Sequence, residues 1–93
     1  MEVKVQQNEK ERKFFADVDG GEAVVEYARM GDTYNLVHTF VPEKLRGQGV
    51  ADQLVRGTLD EIQRQGAKFL PSCAFVQAFL KKHPEYQQGV ARG

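Results

Sequence analysis

Apolar and polar residues alternate along the first forty positions, and the period then changes. Val3 and Val5 stand between Glu2, Lys4 and Gln6, which predicts a short first strand. A polar run at residues 7–12 follows, and residues 13–18 (KFFADV) predict a second strand. Asp19-Gly20-Gly21 predicts a hairpin turn, because either glycine can take positive φ without a Cβ clash. Residues 22–30 predict a third strand and Gly31-Asp32 the next tight turn. Residues 33–41 (TYNLVHTFV), rich in β-branched and aromatic side chains, predict a fourth strand. Four strands in this order make an antiparallel meander.

Beyond Pro42 the apolar positions are Val50, Leu54, Val55, Thr58, Leu59 and Ile62, a stripe at the 3.6-residue spacing of a helix. Gly66 falls where a C-terminal cap belongs. Residues 68–71 (KFLP) predict a fifth strand that stops at the proline. Ser72 is a good N-cap for a second helix carrying Phe75, Val76, Phe79 and Leu80 on one side. Pro84 ends that helix, and residues 87–93 read as a frayed tail. The expected fold class is α+β: a four-stranded meander followed by α-β-α, in a single domain over residues 1–93.

Composition narrows the possible functions. Thirteen Lys and Arg balance thirteen Asp and Glu, so there is no broad cationic surface for nucleic acid or an anionic membrane. An anionic ligand would need a local device instead. The N-terminus lacks a signal-peptide apolar region, and no window approaches the roughly 18 apolar residues of a spanning helix. One cysteine and two histidines make a poor zinc set. The expectation is a cytoplasmic, metal-free protein, a monomer or weak homodimer, with neither nucleic acid nor membrane as a partner.

The local device is the junction between the fourth strand and the first helix. Arg46, Gly47, Gln48, Gly49, Val50 and Ala51 place two glycines and a cation just before a helix N-terminus, where unpaired N–H groups and the helix dipole favour an anion. The spacing lacks the extra glycine of a dinucleotide fingerprint and the Gly-Lys-Ser/Thr of a Walker loop.

Arg46-x-x-Gly49-x-Ala51 matches the Q/R-x-x-G-x-G/A signature of GNAT N-acetyltransferases. The wider pattern resembles the small single-domain YjdJ-type branch of that family: residues 37–42 (VHTFVP), 45–51 (LRGQGVA), Pro71-Ser72-Cys73 and His83-Pro84. The resemblance runs from about residue 25 to residue 86. It implies acetyl-CoA or coenzyme A as cofactor, with the pyrophosphate on the backbone of residues 47–51 and the pantetheine along Phe40 and Val41. It also implies a cleft where the fourth and fifth strands splay apart. The activity implied is acetyl transfer to an amine acceptor, a small molecule or a protein; the alternative is a non-catalytic acyl-CoA-binding module.

Two residues are candidates for the chemistry. His38 carries an imidazole that could accept the amine proton. On a regularly alternating strand it would share a face with Tyr34, Leu36 and Phe40, away from Val37 and Val41. Cys73, at the start of the last helix, could protonate the departing thiolate or take the acyl group. Both residues are equally compatible with packing roles. Lys81, Lys82 and His83 form a cationic cluster at the end of the last helix, suited to dipole compensation or to the 3′-phosphate of coenzyme A. Glu26 and Glu43 are carboxylates that nothing local distinguishes. The gap between the first two strands, residues 7–12, holds none of the helices that larger family members carry there, which leaves the acceptor side open or completed by a partner. A tyrosine acid on the last helix is also missing, and Tyr86 falls beyond Pro84.

Overall fold

The computed structural model describes residues 3–91. One five-stranded sheet is built from β1 (Gln6–Asn8), β2 (Lys13–Val18), β3 (Gly21–Met30), β4 (Thr33–Phe40) and β5 (Lys68–Pro71), side by side in chain order. The first four strands are antiparallel, and β5 runs parallel to β4. Helix α1 (Val50–Arg64) connects β4 to β5, and α2 (Ala74–Lys82) follows β5. Both helices pack on the same side of the sheet. Phe14, Ala16, Val18, Ala23, Val25, Tyr27, Tyr34 and Leu36 meet the buried stripe of α1 and the Val76–Phe79–Leu80 face of α2 there. The opposite face of the sheet carries no helix among the described residues.

The first strand lies a few residues later than its alternation predicts. Val3 and Val5 are half-buried against the core rather than paired, and Glu2 lies outside the described residues. Polar residues form β1 instead, because Gln7 has partners in the sheet interior. Its amide donates to the hydroxyls of Tyr27 and Tyr34, both at 3.0 Å, and its carbonyl accepts from Gln65 at the end of α1 at 2.8 Å. The Tyr34 hydroxyl donates to Gln65 at 2.7 Å, closing a ring of side-chain hydrogen bonds.

The β2–β3 turn takes positive φ at Asp19 and Gly20, whereas Gly21 belongs to the strand. At the end of α1 the chain closes as anticipated around Gly66 (φ 74°). Gly66 N–H donates to Gln63 at 2.9 Å and Ala67 N–H to Ile62 at 3.1 Å, the paired bonds of a Schellman cap. Ser72 does not cap α2. Cys73 occupies that position, and the Ser72 hydroxyl donates to Asn35 Oδ1 on β4. The tail is docked, not frayed, as far as Ala91. Residues Pro84–Gly89 form a 3₁₀ turn, Val90 bridges to Phe69, and Ala91 N–H donates to the Phe69 carbonyl at 2.8 Å. Residues 92 and 93 lie outside the described residues.

The largest departure from simple alternation is in β4. Glu26 pairs with His38 and Tyr27 with Leu36, so Val37 is an extra residue, a β-bulge. Tyr34 and Leu36 are buried toward the helices, and beyond the bulge so are Thr39 and Val41. Val37, His38 and Phe40 are exposed. The expected grouping of His38 and Phe40 with Tyr34 and Leu36 is therefore corrected: the inserted residue puts them on opposite faces.

Candidate functional site

The bulge coincides with the parting of β4 and β5. Their pairing runs from Thr33↔Lys68 to Leu36↔Pro71 and stops, while β4 continues to Phe40 and the other chain turns into α2. A wedge-shaped opening follows, with β4 on one side and the start of α2 on the other.

At the far end of that opening lies the glycine junction. A 3₁₀ turn, Glu43–Leu45, leads from β4 to Arg46, whose N–H donates to the Glu43 carbonyl. Gly47 (φ 80°) and Gly49 (φ 76°) are both left-handed, and Gly49 is the N-cap of α1. A side chain added at Gly47 would meet open space, and one at Gly49 would meet only the Gln53 amide at 3.9 Å. Backbone conformation, then, selects glycine at these two positions. Gly49 provides no side-chain cap, so the first-turn N–H groups of α1 are unpartnered within the helix. Among the described residues, Gly47, Gln48 and Gly49 donate no backbone hydrogen bond either.

These donors edge a pocket of about 360 Å³ between the junction and α2. Val41, Leu45, Val50 and Phe75 form its apolar wall, with Arg46 and Lys82 as cations and Asp52 as the acid. Arg46 Nε donates to the Val41 carbonyl at 3.0 Å, which fixes the guanidinium root at the end of β4. Lys82 Nζ stands 3.6 Å from Asp52 Oδ2, an ion pair spanning the pocket from α2 to α1.

The structure distributes the sequence candidates unevenly. Val41, Arg46, Gly47, Gly49, Val50 and Ala51 line this pocket. Gln48 turns away and donates to the Lys44 carbonyl at 3.2 Å. Phe40 is 45% exposed on the open sheet face. Cys73 is buried at the base of the wedge, and its thiol donates to Thr39 Oγ1 at 3.2 Å. His38 is exposed on the other face of β4, so the strand lies between the two chemical candidates. Of the cationic cluster, Lys82 reaches the pocket, whereas His83 stacks on Phe79 with ring centroids 4.5 Å apart. Tyr86 is turned to the α1 side, where its hydroxyl donates to Asp60 at 2.8 Å. No sequence signal marks Thr39, Asp52 or Phe75. Helical spacing puts Phe75 in the α2 core stripe, yet it is half-exposed one turn before the buried Phe79. Among the described residues no group of three or more His, Cys, Asp and Glu side chains is placed to hold a metal ion, and no helix is long and apolar enough to cross a membrane.

A meander sheet whose fourth and fifth strands part beside a glycine-rich helix start is a GNAT-like α+β architecture. The chain belongs to the GCN5-related N-acetyltransferase (GNAT) family, whose sequence pattern matches residues 13–89. It is similar to Protein NATD1 of Danio rerio, at 31% identity over 95% of this chain and 84% of that protein. It is also similar to Protein NATD1 of Homo sapiens, at 29% identity over 88% of this chain and 75% of that protein. Among solved structures, the fold resembles the NMR solution structure of a "GCN5-like putative N-acetyltransferase" from Staphylococcus aureus. The TM-score is 0.70 at 27% identity, covering 95% of this chain and 87% of that one.

Proposed function

We propose that this protein binds acetyl-CoA at the junction of residues 46–51 and transfers the acetyl group to an amine. The observation that carries this reading is the pocket at the start of α1. It combines unpartnered N–H donors on a left-handed glycine turn, Arg46 and Lys82 as cations, and an apolar wall leading toward the wedge. A pyrophosphate fits the donor set: it carries the charge that a helix N-terminus favours, and no side chain at Gly47 or Gly49 obstructs it. Val41 and Phe75 suit the apolar parts of the cofactor.

Bound acetyl-CoA would supply an acyl group activated as a thioester. The amine must lose protons as the C–N bond forms, and the departing thiolate must gain one as the C–S bond breaks. His38 stands on the open face, where an acceptor has access, and in its neutral form can take the amine proton. Cys73 stands on the helix side and can give a proton to the thiolate, with Thr39 fixing its orientation. The two roles sit on opposite faces of β4, which keeps the proton acceptor from neutralising the proton donor.

Calorimetric titration with acetyl-CoA tests the binding, using the native protein and an Arg46→Ala, Gly49→Glu double variant. We expect saturable binding by the first and loss in the second. Absence of heat and of thermal shift at millimolar ligand would remove the reading. Binding without turnover on a panel of amines, unaffected by His38→Ala or Cys73→Ala, would leave an acyl-CoA-binding module in place of an enzyme.

A further inference from the structure

The face of the sheet that α1 and α2 leave open is not a uniformly polar surface. Strand register places Phe15, Val24 and Phe40 in one row across β2, β3 and β4. Phe40 is 45% exposed, and Val37 at the bulge beside it is 46% exposed. The neighbouring row is Lys13, Glu26 and His38. Lys13 turns away from Glu26, with Nζ 2.8 Å from Glu22 and 3.0 Å from Glu11. Glu26 is thus an exposed carboxylate without an ion-pair partner among the described residues. Asp17 and Glu22 occupy the next row on the other side of the aromatic one. The face therefore presents an apolar strip with two aromatic rings at its ends, Glu26 unpaired on one side, Asp17 and the Lys13-paired Glu22 on the other, and His38 where the strip reaches the opening between β4 and β5.

We propose that this open face docks the acceptor as an extended peptide segment, with a lysine ammonium received by Glu26 beside His38 and apolar neighbours lying on Phe15, Val24 and Phe40. The proposal rests on the acetyl-transfer reading above and adds the class of acceptor to it. Three observations favour a cationic peptide over the other occupants. The strip spans two inter-strand spacings, roughly 10 Å, before the rings are counted. It lies on the face of a sheet rather than in a concavity, and small-molecule sites are concave and enclose most of their ligand. Its charge is acidic, so two copies of the chain meeting face to face would bring like charges together, whereas a lysine-bearing segment is complementary. The Phe15 ring already carries the Lys13 ammonium, 5.3 Å from its centroid, so the cation of the segment falls to Glu26 and apolar neighbours to the rings.

The test is a titration of the full-length ¹⁵N-labelled protein, followed by amide chemical shifts, with three probes: a blocked Val-Lys-Val-Phe peptide, the same peptide with the lysine acetylated, and butylamine. The expected result is saturable shifts at Phe15, Val24, Glu26, His38 and Phe40 with the lysine peptide alone. Affinity should fall at least fivefold in Glu26→Lys and in Phe40→Ser. Both are exposed positions, and acetyl-CoA binding by calorimetry should be unchanged in Glu26→Lys, which lies outside the cofactor pocket. Shifts that map elsewhere, equal binding of the acetylated peptide, equal binding of butylamine, or no loss in either variant would overturn the proposal. So would concentration-dependent shifts on this face without peptide, together with a doubled mass in sedimentation, since the occupant would then be a second copy. Peptide binding without acetyl-CoA binding would sink the acetyl-transfer reading and leave the docking surface standing; the converse would do the opposite.

Discussion

At Gly57, in the middle of α1, the structure leaves no room for a methyl group. A Cβ there would fall 2.4 Å from Val5 Cγ2 and 3.0 Å from Val5 Cβ. Alanine at this position gains about 1 kcal/mol of helix propensity but overpacks the contact by about 1–3 kcal/mol. Gly57→Ala should therefore lose about 1 kcal/mol of stability, and Val5→Ala in the same chain should recover it; urea denaturation of the single and double variants measures both. Thr58, one position on, is fully buried, and its hydroxyl has no hydrogen-bond partner among the described residues. An unsatisfied buried hydroxyl costs about 1–3 kcal/mol, so Thr58→Val should raise the midpoint of thermal unfolding by several degrees. An unchanged midpoint would mean that the hydroxyl finds a partner in solution. Gly49 differs from both, because its restriction is conformational. Gly49→Ala should cost about 1–2 kcal/mol through its positive φ alone, read by the same denaturation experiment, with weaker acetyl-CoA binding following from a displaced helix start.

At the scale of elements, the ring of Gln7, Tyr27, Tyr34 and Gln65 decides where the sheet begins. Gln7→Leu removes donors and acceptors from that ring at once, and a loss of about 1–3 kcal/mol is expected by chemical denaturation. The ring continues to Glu61, which accepts from Arg64 and from Gln65. Those hydrogen bonds, Arg64 first, hold the Glu61 carboxyl below its ordinary range. A depressed carboxyl contributes stability above its unfolded pKa, and that contribution fades as pH falls through the folded value. Glu61→Gln should accordingly flatten the acid limb of a stability–pH profile, by a small amount because the pair is solvent-exposed.

The same network shows what was legible in the sequence. Strands β2 to β4, both helices, β5 and the Gly66 cap follow from local alternation, helical spacing and turn chemistry, and the structure has them within a residue or two. The position of β1 does not. The partners of the Gln7 side chain that fix it are 20 to 58 residues away, beyond any local window. Val3 and Val5 alternate correctly but pack against the core, Val5 on Gly57 of α1. The glycine junction was legible because a helix start and its donors are local. Lys82 and Phe75 reach it only through the packing of α2 on α1, which no spacing in the sequence encodes, whereas Asp52 lies in the first turn of α1 itself.

Among the described residues the sheet has one covered and one open side, and the covered side is completed by residues 84–91. Phe69 on β5 is almost fully buried, with Gly89 against its ring and Val90 and Ala91 along its backbone. Removal of residues 87–93 should uncover that ring and the β5 edge. A stability loss of about 2 kcal/mol is expected, together with greater aggregation on heating, because an uncovered edge strand pairs readily with another chain. Light scattering during a thermal ramp would show this; a truncated protein that melts like the intact one would mean that the tail contributes little in solution.

Val37 works on β4 as a phase inversion. Every side chain after it takes the face that its parity would otherwise deny it, so His38 looks outward and Thr39 inward to Cys73. The length of the strand, more than the identity of the inserted residue, thus decides which chemistry meets which side. Substitutions at Val37 should be well tolerated, whereas deleting it would turn histidine toward the helices and threonine toward solvent.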